Sequence, residues 1–184
     1  MTGEPAGPTL TVFASDIGPG DAERASMMTL AGTYFARRGA RMLCVGEAGQ
    51  VPVPLISATY TVGGSVSIIA DAGLRMPPAL QDVPVEIIPE REARLKAIAE
   101  RTDYFVALPG SLASATSLFH CWTAARQAGL KRPVVLLNRN RAFEVLRGYS
   151  ADVLSYSLPD FDRVMLFADS VEDVWIHIAH LMEG

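Results

Sequence analysis

Tyr104-Phe105-Val106-Ala107-Leu108 runs directly into Pro109-Gly110-Ser111, and then into a segment with no proline or glycine before Gly129. Five apolar residues in a row, with β-branched and aromatic types among them, read as a strand buried on both faces. Pro-Gly marks the turn, and Ser111 to Gly129 reads as a long helix closed by that glycine. The same strand–turn–helix unit repeats outward along the chain. Leu10 to Ala14, Arg41 to Val45, Ser65 to Ala70, Pro133 to Leu137 and Arg163 to Ala168 read as further strands. Asp21 to Arg38, Val51 to Tyr60, Glu90 to Arg101, Arg141 to Arg147 and Ser170 to Met182 read as helices. Leu74 to Val85 is irregular, with Pro77, Pro78 and Pro84 as breakers, and Pro77 to Pro89 is the one long loop. Short apolar strands alternating with helices predict βαβ crossovers and a parallel sheet covered on both faces. The expected fold is α/β: a Rossmann-like, doubly wound parallel sheet in a single domain spanning 1–184, with 1–8 a flexible N-terminus.

Composition supports this and narrows the function. The chain has 184 residues, 49% hydrophobic and 20% charged, which provides for a core and excludes a disordered chain. The net charge of −4 comes without a basic stripe, so no nucleic acid is expected as partner. No apolar run reaches the roughly 20 residues of a membrane helix. Met1 to Pro8 lacks the basic and apolar regions of a secretory leader. Cys44 and Cys121 sit among apolar residues, which predicts buried thiols in a reducing, cytoplasmic setting.

In an open parallel sheet, ligands bind beyond the carboxyl ends of the strands where the order reverses. With six strands in the order 3-2-1-4-5-6, that point lies between the first and fourth. The turns there are Ser15-Asp16-Ile17-Gly18-Pro19-Gly20-Asp21 and Pro109-Gly110-Ser111-Leu112-Ala113-Ser114. Both lead into helix N-termini, where free N–H groups and the positive dipole end favour an anion. A phosphate-bearing ligand follows, although a simple N-cap at Ser111 accounts for the same residues. Gly18-Pro19-Gly20 is no dinucleotide fingerprint, because Glu23 stands where its third glycine belongs.

The stretch from Thr102-Asp103-Tyr104 through Leu108-Pro109-Gly110-Ser111-Leu112-Ala113-Ser114-Ala115-Thr116-Ser117 resembles the Ser-Asp-Ala-Phe-Ile-Ala-Leu-Pro-Gly-Gly-x-Gly-Thr-x-x-Glu motif of the LONELY GUY (LOG) family. Lys131-Arg132-Pro133-Val134-Val135-Leu136-Leu137-Asn138 and Phe167-Ala168-Asp169-Ser170-Val171-Glu172-Asp173 are similar to that family too. The resemblance implies homodimers or larger assemblies and a nucleoside 5′-monophosphate site, where active members hydrolyse the N-glycosidic bond. It also implies an anion-contacting role for Arg94. Yet Ser111, Ala113 and Ser114 replace two glycines and the threonine, and Ser117 replaces the motif glutamate. The family's second motif, GGGxxGLMG, survives over Val45 to Val53 only as Gly46, and the lysine beside the arginine is Leu95.

The glutamate matters because glycosidic cleavage builds positive charge on the ribose, which a carboxylate stabilises. Ser117 supplies no such charge. The first expectation is therefore a binder of a nucleotide or other phosphorylated small molecule, without ordinary hydrolase activity. Its ligand residues are Ser15, Gly18, Gly46, Pro109, Gly110, Ser111, Ala113, Ser114 and Ser117. The second is a phosphoribohydrolase of altered specificity, with Arg94 and either Asp16 or Glu47 catalytic. The third is a non-catalytic carrier or partner subunit, as in the molybdenum-cofactor carrier proteins of the same broader fold; nothing in the residues selects pterin over nucleotide. No cofactor and no metal is expected. Asp173, His177 and His180 share a helix face, but that is read as surface chemistry, not a zinc site.

Overall fold

The computed structural model describes residues 7–15, 21–46, 49–158 and 160–184. Among them lie β1 (Thr9–Phe13), β2 (Arg41–Gly46), β3 (Val66–Ala70), β4 (Val85–Ile87), β5 (Tyr104–Ala107), β6 (Val134–Leu137) and β7 (Met165–Ala168). All pair in parallel, in the order β4-β3-β2-β1-β5-β6-β7. The helices are α1 (Asp21–Ala36), α2 (Val53–Thr61), α3 (Arg91–Arg101), α4 (Leu112–Gln127), α5 (Glu144–Tyr149), α6 (Ser155–Ser157), α7 (Phe161–Val164) and α8 (Val171–Glu183). This is the α/β, Rossmann-like single domain expected, with the order reversal between β1 and β5. No helix of the described residues is long and apolar enough to cross a membrane.

The strands are apolar without alternation because each of their faces is buried. Val106 and Leu108 pack with Leu10, Val12, Met28, Phe35 and Ile56 under α1, α2 and α8. Phe105 and Ala107 point the other way, onto Phe13, Ile98, Leu118 and Trp122 under α3 and α4. Phe13 and Phe105 meet with ring centroids 6.0 Å apart. Thr11 is the polar member of β1; its hydroxyl shares a hydrogen bond with Thr102 at 2.6 Å, which satisfies it inside the core. Cys44 and Cys121 are both buried thiols outside any disulfide, and burial pushes the Cys44 thiol up to about 12. Trp122 and Leu118 belong to this core.

Three expectations are corrected. The loop from Pro77 to Pro89 contains β4, so the sheet has a seventh strand. It was hidden because it is three residues long, partly exposed, and held at the sheet edge between Pro84 and Pro89. The Ile68 N–H donates to the Pro84 carbonyl at 2.9 Å, and a proline can still serve a ladder that way. Next, the helix expected from Arg141 begins only at Glu144, because Asn140 and Arg141 have left-handed φ of 54° and 60°. It then continues through a π segment, Ser150–Leu154, into α6. Finally, Pro8 is tied down: its carbonyl accepts the Arg41 N–H at 2.9 Å.

α3 carries an acid-sensitive cap. The Glu90 carboxylate accepts the N–H groups of Glu92 and Ala93, which hold its carboxyl below the ordinary 4.5. The Arg101 guanidinium does the same to Glu86, which it binds through both nitrogens. Depressed folded values mean that this stabilisation is complete above 4.5 and is lost as the pH falls below it. The thermal midpoint should therefore drop on acidification through that range. A Glu86→Gln, Glu90→Gln double variant should show a shallower drop in calorimetric scans.

Candidate functional site

β1 and β5 run side by side, with Phe13 opposite Ala107, and the Leu108 N–H donates to the Phe13 carbonyl at 2.9 Å. Both chains therefore leave the sheet at the same place. Gly110 lets them touch. A Cβ there would stand 3.1 Å from the Ser15 nitrogen and 2.5 Å from the Ser114 Oγ. No side chain larger than hydrogen fits between the two turns. Beyond them opens a cleft of about 640 Å³, a volume suited to a small molecule. Pro109, Gly110, Ser111 and Ser114 line it from the β5 side. Phe119, Phe143 and Tyr149 supply aromatic surface, and Arg24 supplies positive charge.

Ser111 and Ser114 form a reciprocal cap at the start of α4. The Ser114 N–H donates to the Ser111 Oγ at 3.2 Å, and the Ser111 N–H to the Ser114 Oγ at 3.0 Å. The Ser114 hydroxyl also donates to the Ser111 carbonyl at 2.9 Å, so it is engaged within the protein, whereas the Ser111 Oγ serves the cap only as an acceptor. The donors left in that first turn are the Ser111 hydroxyl and the N–H groups of Leu112 and Ala113, which have no acceptor inside a helix. The Ala113 side chain is exposed and is not part of the cleft wall.

The remaining sequence-selected residues scatter. Asp16, Gly18 and Glu47 lie outside the described residues. Gly46 is buried at the end of β2, and the place of its missing side chain is taken by Ala70, Leu74 and Val51. Its contacts are with protein. Ser117 is buried on α4, away from the cleft wall. Arg94 does not line the cleft either. It stands in the first turn of α3, only 6% exposed, with its Nη1 donating to the Ile88 and Pro89 carbonyls at 2.8 and 3.1 Å. Its Nε is buried without a hydrogen-bond partner, and no salt bridge among the described residues includes it. Arg94 and Ser117 are thus buried residues of α3 and α4 that do not line this cleft, whereas Gly110 and Ser111 do. Among the described residues, no group of three or more His, Cys, Asp or Glu side chains could hold a metal ion.

Several cleft features escaped the sequence. Arg24 sits in the first turn of α1, where a cation opposes the helix dipole; that misplacement was its available signal. Phe143 and Tyr149 arrive from the segment after β6, and only the tertiary fold shows them facing α4. Asn138 sets that segment. It is buried after β6, its Nδ2 donates to Glu144 at 2.8 Å, and its Oδ1 accepts the Phe143 N–H at 2.7 Å. The left-handed Asn140 then reaches across to α1, its Nδ2 donating to the Glu23 carboxylate at 3.1 Å. Two successive left-handed residues with side chains are costly and are kept only where surrounding structure holds them.

Comparison of the sequence with protein-family profiles and with curated proteins finds no match. Solved structures do match. The molybdenum cofactor carrier protein of Chlamydomonas reinhardtii superposes with a TM-score of 0.68 at 18% identity, over 96% of this chain and 99% of that one. The molybdenum cofactor binding protein of the phototrophic bacterium Rippkaea orientalis gives 0.62 at 16% identity, over 95% and 97%. Identity this low speaks to architecture alone: the chain is similar to these proteins in its Rossmann-like fold along almost its whole length.

Proposed function

We propose that this protein is a non-catalytic binder and carrier of a phosphorylated heterocycle, with a pterin cofactor of the kind named for the two compared proteins as first choice. The observation that carries this is the make-up of the cleft. Arg24 and Tyr149 are the ionisable side chains among the described residues that line it. An arginine beside a helix N-terminus suits an anion, and aromatic walls suit a flat ring. Proton transfer or nucleophilic attack needs a tuned acid, base or nucleophile at the ligand, and the phosphate-side turn offers two serine hydroxyls of a helix cap with no base among the described residues of the cleft wall to activate them. The two buried thiols fit work in the reducing cytoplasm.

The test is to isolate the full chain under non-denaturing conditions and to analyse what it carries by native mass spectrometry and pterin fluorescence. A phosphorylated pterin is the expected result. AMP and CMP are then titrated by calorimetry and incubated with the protein. Tight nucleotide binding without pterin would move the cargo to nucleotides. Release of free base would overturn the carrier reading in favour of a phosphoribohydrolase. No binding of any of these ligands at millimolar concentration would sink both.

The carrier also pairs with itself. From α5 through the π segment to α6, Val145, Tyr149, Val153 and Tyr156 recur at helical spacing and face outward, with Val145 and Tyr156 about nine-tenths exposed. The opposite side of the same run, through Leu146 and Leu154, packs on the core. A helix apolar on both sides needs cover on both. Light scattering should show a homodimer. A Val145→Asp, Tyr156→Asp double variant should be monomeric and folded, with a thermal midpoint that no longer rises with protein concentration.

A further inference from the structure

A second cleft, of about 600 Å³, lies at the opposite, amino-terminal end of the sheet. α4 ends there in a tight left-handed cap. Gly129, at φ 74°, turns the chain, and the Leu130 N–H donates back to the Ala125 carbonyl at 2.9 Å. That turn lays the chain from Leu130 to Pro133 along one wall, just ahead of β6. The floor is aliphatic, built from leucine, proline and valine side chains such as Leu130 and Val164. The rim carries Arg126, Lys131, Arg132 and Arg163, and Gly184 stands against the Arg163 guanidinium. Among the described side chains that line the cleft, Asp160 is the one carboxylate, so cations are locally in excess in a chain whose net charge is −4.

Helix electrostatics account for part of it. Arg126 and Arg163 stand in the last turns of α4 and α7, where a cation answers the carbonyl end, but Lys131 and Arg132 lie outside any helix. Lys131 is 4.0 Å from Asp160, both highly exposed. Arg132 is held at the wall by its Nε, which donates to the Ala99 carbonyl at 3.2 Å. Neither Arg132 nor Arg163 has a salt bridge among the described residues. We propose that this cleft binds an organic anion with an aliphatic body: the charged head meets the arginines, and the body lies on the apolar floor.

Anilinonaphthalene sulfonate is the probe, titrated by fluorescence into the folded full-length chain. One saturable site is expected, weakened by added salt, displaced by decanoate, and left in place by decanol, inorganic phosphate or AMP. An Arg126→Gln, Arg163→Gln double variant should bind about tenfold more weakly while still unfolding in one cooperative transition, its midpoint lowered by only a few degrees for the lost helix-end cations. Arg163→Glu alone should weaken binding as well. Unsaturable binding, displacement by decanol as good as by decanoate, or full affinity in both variants would overturn the assignment. Retention of the probe in the presence of AMP separates this cleft from the one beyond β1 and β5, so either assignment can fail alone.

Discussion

Gly110→Val should abolish ligand binding at the β1–β5 cleft and destabilise the fold by about 2–3 kcal/mol. The new side chain has two obstacles at once. The Ser114 Oγ, 2.5 Å from the new Cβ, can move only by leaving the cap it forms with Ser111. The Ser15 nitrogen, at 3.1 Å, is backbone and belongs to the neighbouring turn. Loss of the cap costs about 1 kcal/mol, and forcing two packed turns apart adds roughly 1–2 more. For a chain of this length the thermal midpoint should fall by about 5–10 °C. Gly148→Ala is the internal comparison. Gly148 is helical, and the place of its absent Cβ has nothing within 4 Å. There the substitution removes only the excess freedom of the unfolded glycine and should stabilise by about 0.5–1 kcal/mol. Opposite signs at two glycines of one chain are the expected reading of a pair of thermal scans. A neutral Gly110→Val would mean that the turns do not meet as described, and a destabilised Gly148→Ala that its helix face is not open.

The same contrast explains what was legible in the sequence. A strand buried on both faces advertises itself through unbroken apolar runs, so β1, β2, β3, β5, β6 and β7 could be read directly, while their order came from the doubly wound fold rule. β4 could not, because an edge strand of Val85, Glu86 and Ile87 buries too little to leave a pattern. The helical run after Glu144 was obscured for another reason. Gly148, Ser150, Ser155 and Ser157 are weak helix formers, and packing of Leu146 and Leu154 overrides their propensity. At the site, Pro109-Gly110-Ser111 was visible because turn chemistry is local. The destination of Arg94 was not: its guanidinium is committed to the Ile88 and Pro89 carbonyls, and those are placed by β4, the strand the sequence concealed. One missed edge strand therefore hid the surroundings of a residue chosen for its charge.

Arg24→Met should separate folding from binding. In the first turn of α1 a positive side chain faces the positive end of the helix dipole, a repulsion of about 0.3–1 kcal/mol that works against its other contacts, so the thermal scan reads the net change in folding apart from the change in binding. Methionine keeps the length and apolar stem, which preserves the side of the cleft that Arg24 lines. A guanidinium bound to a phosphate through charge-assisted hydrogen bonds is worth about 1.5–3 kcal/mol, so affinity for a phosphorylated ligand should fall roughly tenfold to a hundredfold. Arg24→Lys should recover only part of it, because an ammonium lacks the planar pair of donors. The measurement is a calorimetric titration beside a thermal scan for each variant, with the dephosphorylated ligand as a third arm. Affinity for that ligand should barely change, since it has no anion for Arg24 to hold. An equal loss for both ligands would assign Arg24 to shaping the cleft. Unaltered affinity for the phosphorylated ligand would move the anion away from the turn between β5 and α4 and take the carrier proposal with it.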